Sequence, residues 1–258
     1  MFSTEMQHAL PNDKLTAFIS DLHARVGIIK KRQFIKYETS YASYKTNFDK
    51  GIFALNISVD NNAKINGLDM KPYVEDKLPK PARNTTSMLL PFKGEWTVIW
   101  GGDTKAENYH VENMAQKNAF DLLITDSNGK THQSDGKSNE DYFVFGKELL
   151  APCSGEIVLV VDGVKDNVPG DMNAFMPGGN MIIIKTPQNE YLVFCHFKQH
   201  SIKVKEGQQV KQGQLLGLCG NSGNSSEAHL HFHIQNIENI NTATGIKCYF
   251  SKLQVSGT

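Results

Sequence analysis

Gly217 to His233 reads G-L-C-G-N-S-G-N-S-S-E-A-H-L-H-F-H, and the fold turns on its change of character part way along. The first half is made of small and turn-forming residues, the composition of a loop. The second half places histidines at positions 229, 231 and 233. In an extended strand, residues two apart face the same way and lie roughly 6.5 Å apart. The pattern therefore predicts a strand entered from a loop, with His229 and His231 facing one site together. Val or Leu would fill a core without the desolvation cost of an imidazole, so the pair points to a function. The competing reading is a wet strand with incidental histidines.

Around this stretch the chain is ordinary. Its 258 residues suffice for one large or two smaller domains, and 40% hydrophobic with 21% charged residues is a globular mixture. Lys and Arg number 27, as do Asp and Glu, which leaves no basic field to draw nucleic acid or an anionic membrane. Cys153, Cys195, Cys219 and Cys248 show no C-x-x-C spacing, which disfavours a cysteine-type zinc site and a thioredoxin motif. The first residues lack the basic and apolar regions of a signal peptide, and no run approaches the ~20 apolar residues of a membrane span. The expectation is an intracellular chain or a mature form without its export signal.

In chain order, Leu15, Phe18, Ile19, Leu22 and Val26 recur at helical spacing. They predict helix from Thr4 to Val26, interrupted near Pro11, with Asn12 or Asp13 as a cap. Q-F-I-K-Y-E-T, Y-A-S-Y-K-T-N-F, I-F-A-L-N-I-S-V-D and A-K-I-N-G-L follow as strands, completing a small α+β domain over 1–70. Residues 71–87, rich in proline and charge, read as a linker. From 88 to 258, short β-runs separated by Gly, Asn, Asp and Pro predict a mainly antiparallel β-domain.

That domain brings chemistry from several places. Asp121 heads the apolar run F-D-L-L-I, His110 sits in N-Y-H-V-E-N, and His196 ends Y-L-V-F-C-H-F. With His229 and His231 they form a carboxylate and imidazole set of the kind zinc prefers, with room for a water. Taken singly, His110, His132 or His200 reads as a surface or loop residue. A thiol or hydroxyl nucleophile is excluded on two grounds. Cys195 and His196 should point to opposite faces of their strand, and Ser222 is not in a G-x-S-x-G elbow. The G-K-S at 136–138 is not a phosphate loop, because the preceding glycine would fall on Thr131.

The block from Ala151 to Gln235 resembles the lysostaphin- and LytM-type zinc metallopeptidases, which cut peptide cross-links in bacterial cell walls. The matching elements are A-P-C-S-G-E-I-V (151–158), P-G-G-N-M-I-I-I (177–184), F-C-H-F (194–197), V-K-E-G-Q-Q-V-K-Q-G-Q-L-L-G-L-C-G-N-S-G-N-S (204–225) and A-H-L-H-F-H (228–233). The resemblance implies a compact antiparallel β-domain of the duplicated-hybrid-motif type, with a cleft across an open sheet. It also implies Zn2+ as cofactor, peptidoglycan peptide as substrate, and a periplasmic, envelope or secreted location. His231 would bind zinc, while His229 and His196 would assist catalysis beside it. Less distinctively, F-D-K-G-I-F-A-L-N-I-S-V-D-N-N-A-K-I-N-G-L (48–68) resembles the small cystatin-like domains that precede many secreted bacterial hydrolases.

The chain departs from that family in one respect. H-x-x-x-D usually begins the metal site, but Lys117 stands four residues before Asp121, and a protonated lysine has no lone pair to give. His110, with ten residues between it and Asp121, is the nearest upstream imidazole and is taken with Asp121 and His231 as the ligand set; His132 is the reserve. Zinc held by two neutral imidazoles and one carboxylate keeps a positive charge that would acidify a bound water toward a pKa of about 7. His233, roughly 13 Å along the strand from His229, reads as a hydrogen-bonded supporting residue. The rival to the enzyme is a zinc-free relative acting as a wall-binding or regulatory module.

Overall fold

A computed structural model describes residues 2–9, 11–38, 40–73, 81–251 and 254–255. The chain divides into two compact units, Met1–Lys77 and Leu78–Thr258.

The first unit opens with helices α1 (Thr4–Ala9) and α2 (Asn12–Val26) on either side of Pro11. Proline fixes its own φ and lacks an N–H, which suits a position just outside a helix start. Pro11 itself is the N-cap, where Asn12 or Asp13 was the expectation. Of the apolar positions that predicted the helix, Val26 is buried while Phe18 and Ile19 are exposed. Gly27, at φ 77°, ends α2 by donating its N–H to the His23 carbonyl. An antiparallel meander follows: β1 (Ile29–Glu38), β2 (Tyr41–Phe48), β3 (Gly51–Val59) and β4 (Ile65–Pro72), paired in sequence order.

The expected linker is trimmed at both ends. Lys71 and Pro72 complete β4. Thr85 and Thr86 instead belong to the second unit, where their backbone N–H groups donate to the buried Glu190 carboxylate at 2.6 and 3.0 Å. Residues 74–80 lie outside the described residues.

The second unit is antiparallel throughout its named strands. These are β5 (Thr97–Trp100), β6 (Phe120–Leu123), β7 (Glu148–Leu150), β8 (Gly155–Val161), β9 (Asn180–Lys185), β10 (Tyr191–Phe197), β11 (Gln209–Val210), β12 (Leu215–Leu218), β13 (Leu230–Gln235) and β14 (Gly245–Ile246). The main sheet runs β11-β8-β9-β10-β13-β6-β5, with β14 also on β13, and β12 pairs with β7 apart from it. Pleating sorts the central strands into two faces. Ile182 and Ile184 of β9, Leu192 and Phe194 of β10, and Leu230, Phe232 and Ile234 of β13 enter one core, each fully buried. Burying such a side chain is worth about 1.5–3 kcal/mol. The opposite face carries Ile183, Val193 and Cys195, and on β13 the histidines.

Candidate metal centre and its histidines

β13 pairs with β6 in a register that sets His231 directly opposite Asp121. Cross-strand neighbours have their Cβ atoms about 5 Å apart. The imidazole Nδ1 accordingly lies 2.8 Å from Asp121 Oδ1. The other carboxylate oxygen, Oδ2, is 2.9 Å from His110 Nε2. His110 comes from a short 3-10 turn, Tyr109–Glu112, held by Asn108. The Asn108 side chain accepts from the His110 N–H and donates to the carbonyls of Gly102 and Ala119, tying the loop to the start of β6. The loop thus spans the ten residues between His110 and Asp121. One ligand atom from each of His110, Asp121 and His231 lies within 4.8 Å of the other two, and all three residues are buried.

His132 stays outside this cluster. Its Nδ1 lies 3.0 Å from the Ser134 carbonyl, in the loop where it pairs with Tyr142. Lys117 is half-buried and does not belong to the cluster.

Electrostatics suit the three residues to a cation. Burial pushes the Asp121 carboxyl up, but the His110 and His231 imidazoles against its two oxygens outweigh it and hold the group well below the usual carboxylate range. Burial lowers His231 despite the pull of Asp121, so its neutral form, the one with a lone pair, is favoured. Two imidazoles and an ionised carboxylate converging in a buried pocket form the donor set of open zinc sites. The residues present fit that ion.

His196 reaches this face only because β10 is irregular. Strict alternation would send it into the core beside Leu192 and Phe194. The pairing with β9 shifts between Phe194 and Phe197, and His196 adopts φ 67°. Such a bulge re-aims the chain. Phe197 takes the core position, and the His196 ring comes to 4.7 Å from that of His229 and 6.0 Å from that of His231. The bulge also corrects the reason given for excluding Cys195: Cys195 and His196 line the same cleft. What argues against a thiolate is its surroundings, since burial and the Asp121 charge push the thiol up to about 12.

Both remaining histidines are anchored through Nδ1. His196 Nδ1 lies 2.7 Å from the Ser222 carbonyl and His229 Nδ1 2.9 Å from the Glu227 carbonyl. Carbonyl oxygen only accepts, so each Nδ1 carries a proton and each Nε2 is left to exchange one. His229 Nε2 is 3.8 Å from Asp121 Oδ1. Burial first, then His229 and His231, holds His196 well below the ordinary histidine range.

Tyr109 was not singled out in the sequence. Its ring lies 4.0 Å from that of His110 and it lines the cleft. Burial and the nearby Asp121 charge push its phenol up to about 12, so it stays a donor. Its adjacency to His110 in Y-H was the only available signal, and adjacency alone does not say which way a ring points.

Residues 141–242 match the family described as Peptidase family M23, and residues 1–68 match DUF3887, a family described as a protein of unknown function. The peptidoglycan DD-endopeptidase ShyC of Vibrio cholerae is 27% identical over 136 residues, covering 50% of this chain and 30% of that protein. An uncharacterized metalloprotease of Buchnera aphidicola is 33% identical over 89 residues, covering 34% of this chain and 22% of the other. The chain thus spans less than a third of the length of these relatives. Among solved structures, the catalytic domain of lysostaphin from Staphylococcus simulans aligns with a TM-score of 0.34 and 21% identity, over 62% of this chain and 86% of that one.

Proposed function

We propose that this chain, whose residues 141–242 form a domain of peptidase family M23, is a zinc-dependent endopeptidase that hydrolyses peptide bonds in peptidoglycan cross-links. The observation that carries the reading is the convergence of His110, Asp121 and His231 within 4.8 Å, with the His196 and His229 rings beside them. The relative described as a peptidoglycan DD-endopeptidase supports the substrate class, and with it a location in the cell envelope.

His110, Asp121 and His231 would hold the metal. Zinc, when bound, supplies a Lewis acid that polarises a carbonyl and makes water more acidic. The protein's own groups handle the protons. His196 and His229, each fixed through Nδ1–H to a backbone carbonyl, present Nε2 to take the proton of an attacking water and return it to the leaving amine. The Tyr109 hydroxyl is the donor available to hydrogen-bond the developing oxyanion.

Metal analysis of the purified chain, with hydrolysis of isolated peptidoglycan measured before and after a strong chelator, tests the reading. About one zinc per chain and chelator-sensitive release of cross-links are expected. No zinc, and no uptake on incubation, would favour a wall-binding or regulatory module.

A further inference from the structure

The histidine face of β13 continues beyond His231. His233 and Gln235, both buried, extend it in a row of contacts. His231 Nε2 lies 3.0 Å from His233 Nδ1, and His233 Nε2 lies 3.0 Å from Gln235 Oε1. The far end sets the direction of every bond in the row. Gln235 Nε2 donates to the carbonyls of Ile237 at 2.7 Å and Glu238 at 2.9 Å. Turning the amide over would set its oxygen against two others, since carbonyls only accept. Oε1 therefore faces His233, which must donate from Nε2. A neutral imidazole carries one N–H, so His233 Nδ1 accepts and His231 must donate from its own Nε2.

We propose that Gln235 and His233 are positioning residues that dictate which nitrogen of His231 is offered to a metal. The direction is fixed by the backbone carbonyls of Ile237 and Glu238 and passed along the row, leaving the lone pair of His231 on Nδ1. That nitrogen lies 2.8 Å from Asp121 Oδ1, so the lone pairs of the two groups converge where a cation would be held. The inference rests on the proposed zinc site, but it concerns residues off the metal. Partners of this kind orient a ligating imidazole, and their loss typically weakens metal binding 10–100-fold.

The test uses two substitutions of comparable size. His233→Gln keeps an acceptor for His231 and a donor for Gln235, whereas His233→Leu keeps only the packing. A packing role would favour Leu in a buried site; the relay favours Gln. Zinc dissociation constants of the full chain, measured by competition with a chromophoric chelator, should stay within about threefold of the original for His233→Gln. They should weaken about 10–100-fold for His233→Leu. Long-range proton–nitrogen correlation spectra of the unsubstituted chain should show His233 protonated at Nε2. Equal zinc affinity in His233→Leu, or His233 protonated at Nδ1, overturns the relay. An unsubstituted chain that takes up no zinc overturns the metal reading instead, and the spectrum then decides the relay alone. The spectrum also decides if His233→Leu does not fold.

Discussion

A histidine at φ 67° sits where a Cβ crowds the backbone, at a cost of order 1–3 kcal/mol. At His196 that conformation aims the ring at the cleft. Glycine adopts the same φ without strain, so His196→Gly should melt no lower than His196→Ala, the reverse of the usual order for a strand. Both should keep zinc and lose hydrolysis by about 100-fold or more. A His196→Ala protein that melts well above His196→Gly would remove the strain argument. The proposed ligands and proton carriers separate the same way. His231→Ala and His110→Ala should lower zinc affinity by orders of magnitude, while His229→Ala keeps zinc and loses turnover. Lys117→Ala and His132→Ala should leave zinc binding nearly unchanged. Zinc titration of the set decides the ligand assignment: full occupancy in His110→Ala would remove His110 from it.

Ser222 connects the strand to its loops. Its carbonyl holds His196, its hydroxyl accepts from the Asn180 N–H, and that hydroxyl donates to the Phe197 carbonyl. Gly179, at φ 59°, approaches so closely that a Cβ there would meet Ser222 O at 2.4 Å. Gly179→Ala must therefore displace the Ser222 backbone. We expect a lowered melting temperature and impaired hydrolysis with zinc retained, measured by metal content and turnover on one preparation; unchanged turnover would mean that His196 does not depend on this anchor. The elements themselves were largely legible. The alternation at 229–233 predicted β13 and its histidine face, and the apolar runs F-D-L-L-I and Y-L-V-F-C-H-F coincide with β6 and β10. β7, β11 and β14, of two or three residues, are too short for a period of two to register. The bulge at His196 was illegible for another reason: alternation assumes regular pairing, and no side-chain pattern reports a positive φ at a histidine. The approach of His110 to Asp121 depends on Asn108 fixing a loop, a contact that spacing permits without specifying.

Across the whole molecule, buried imidazoles make stability depend on acid. Burial, and then His231, holds His233 down to about 3, against an ordinary value near 6.5. Between those values the unfolded chain binds a proton that the folded chain refuses. Stability is therefore full above about 6.5 and drains as the pH falls toward 3, at up to about 1.4 kcal/mol per pH unit for one such group. His196, also lowered by burial, adds with the same sign. Denaturant midpoints of the metal-free chain between pH 7 and 4 should fall accordingly, and His233→Gln should flatten the decline by about one proton. An identical slope in that variant would mean that His233 titrates normally in the folded state.

β13 can also be read as two interleaved texts. The even positions, Leu230, Phe232 and Ile234, spell the core, and the odd ones, His231, His233 and Gln235, with His229 just before the strand, spell the proposed chemistry. Edits to one text leave the letters of the other in place. Variation at the odd positions can therefore explore new reactivity against an unchanged hydrophobic interior. Insertion or loss of one residue would exchange the two scripts, turning the histidines inward and the aliphatic side chains toward the cleft.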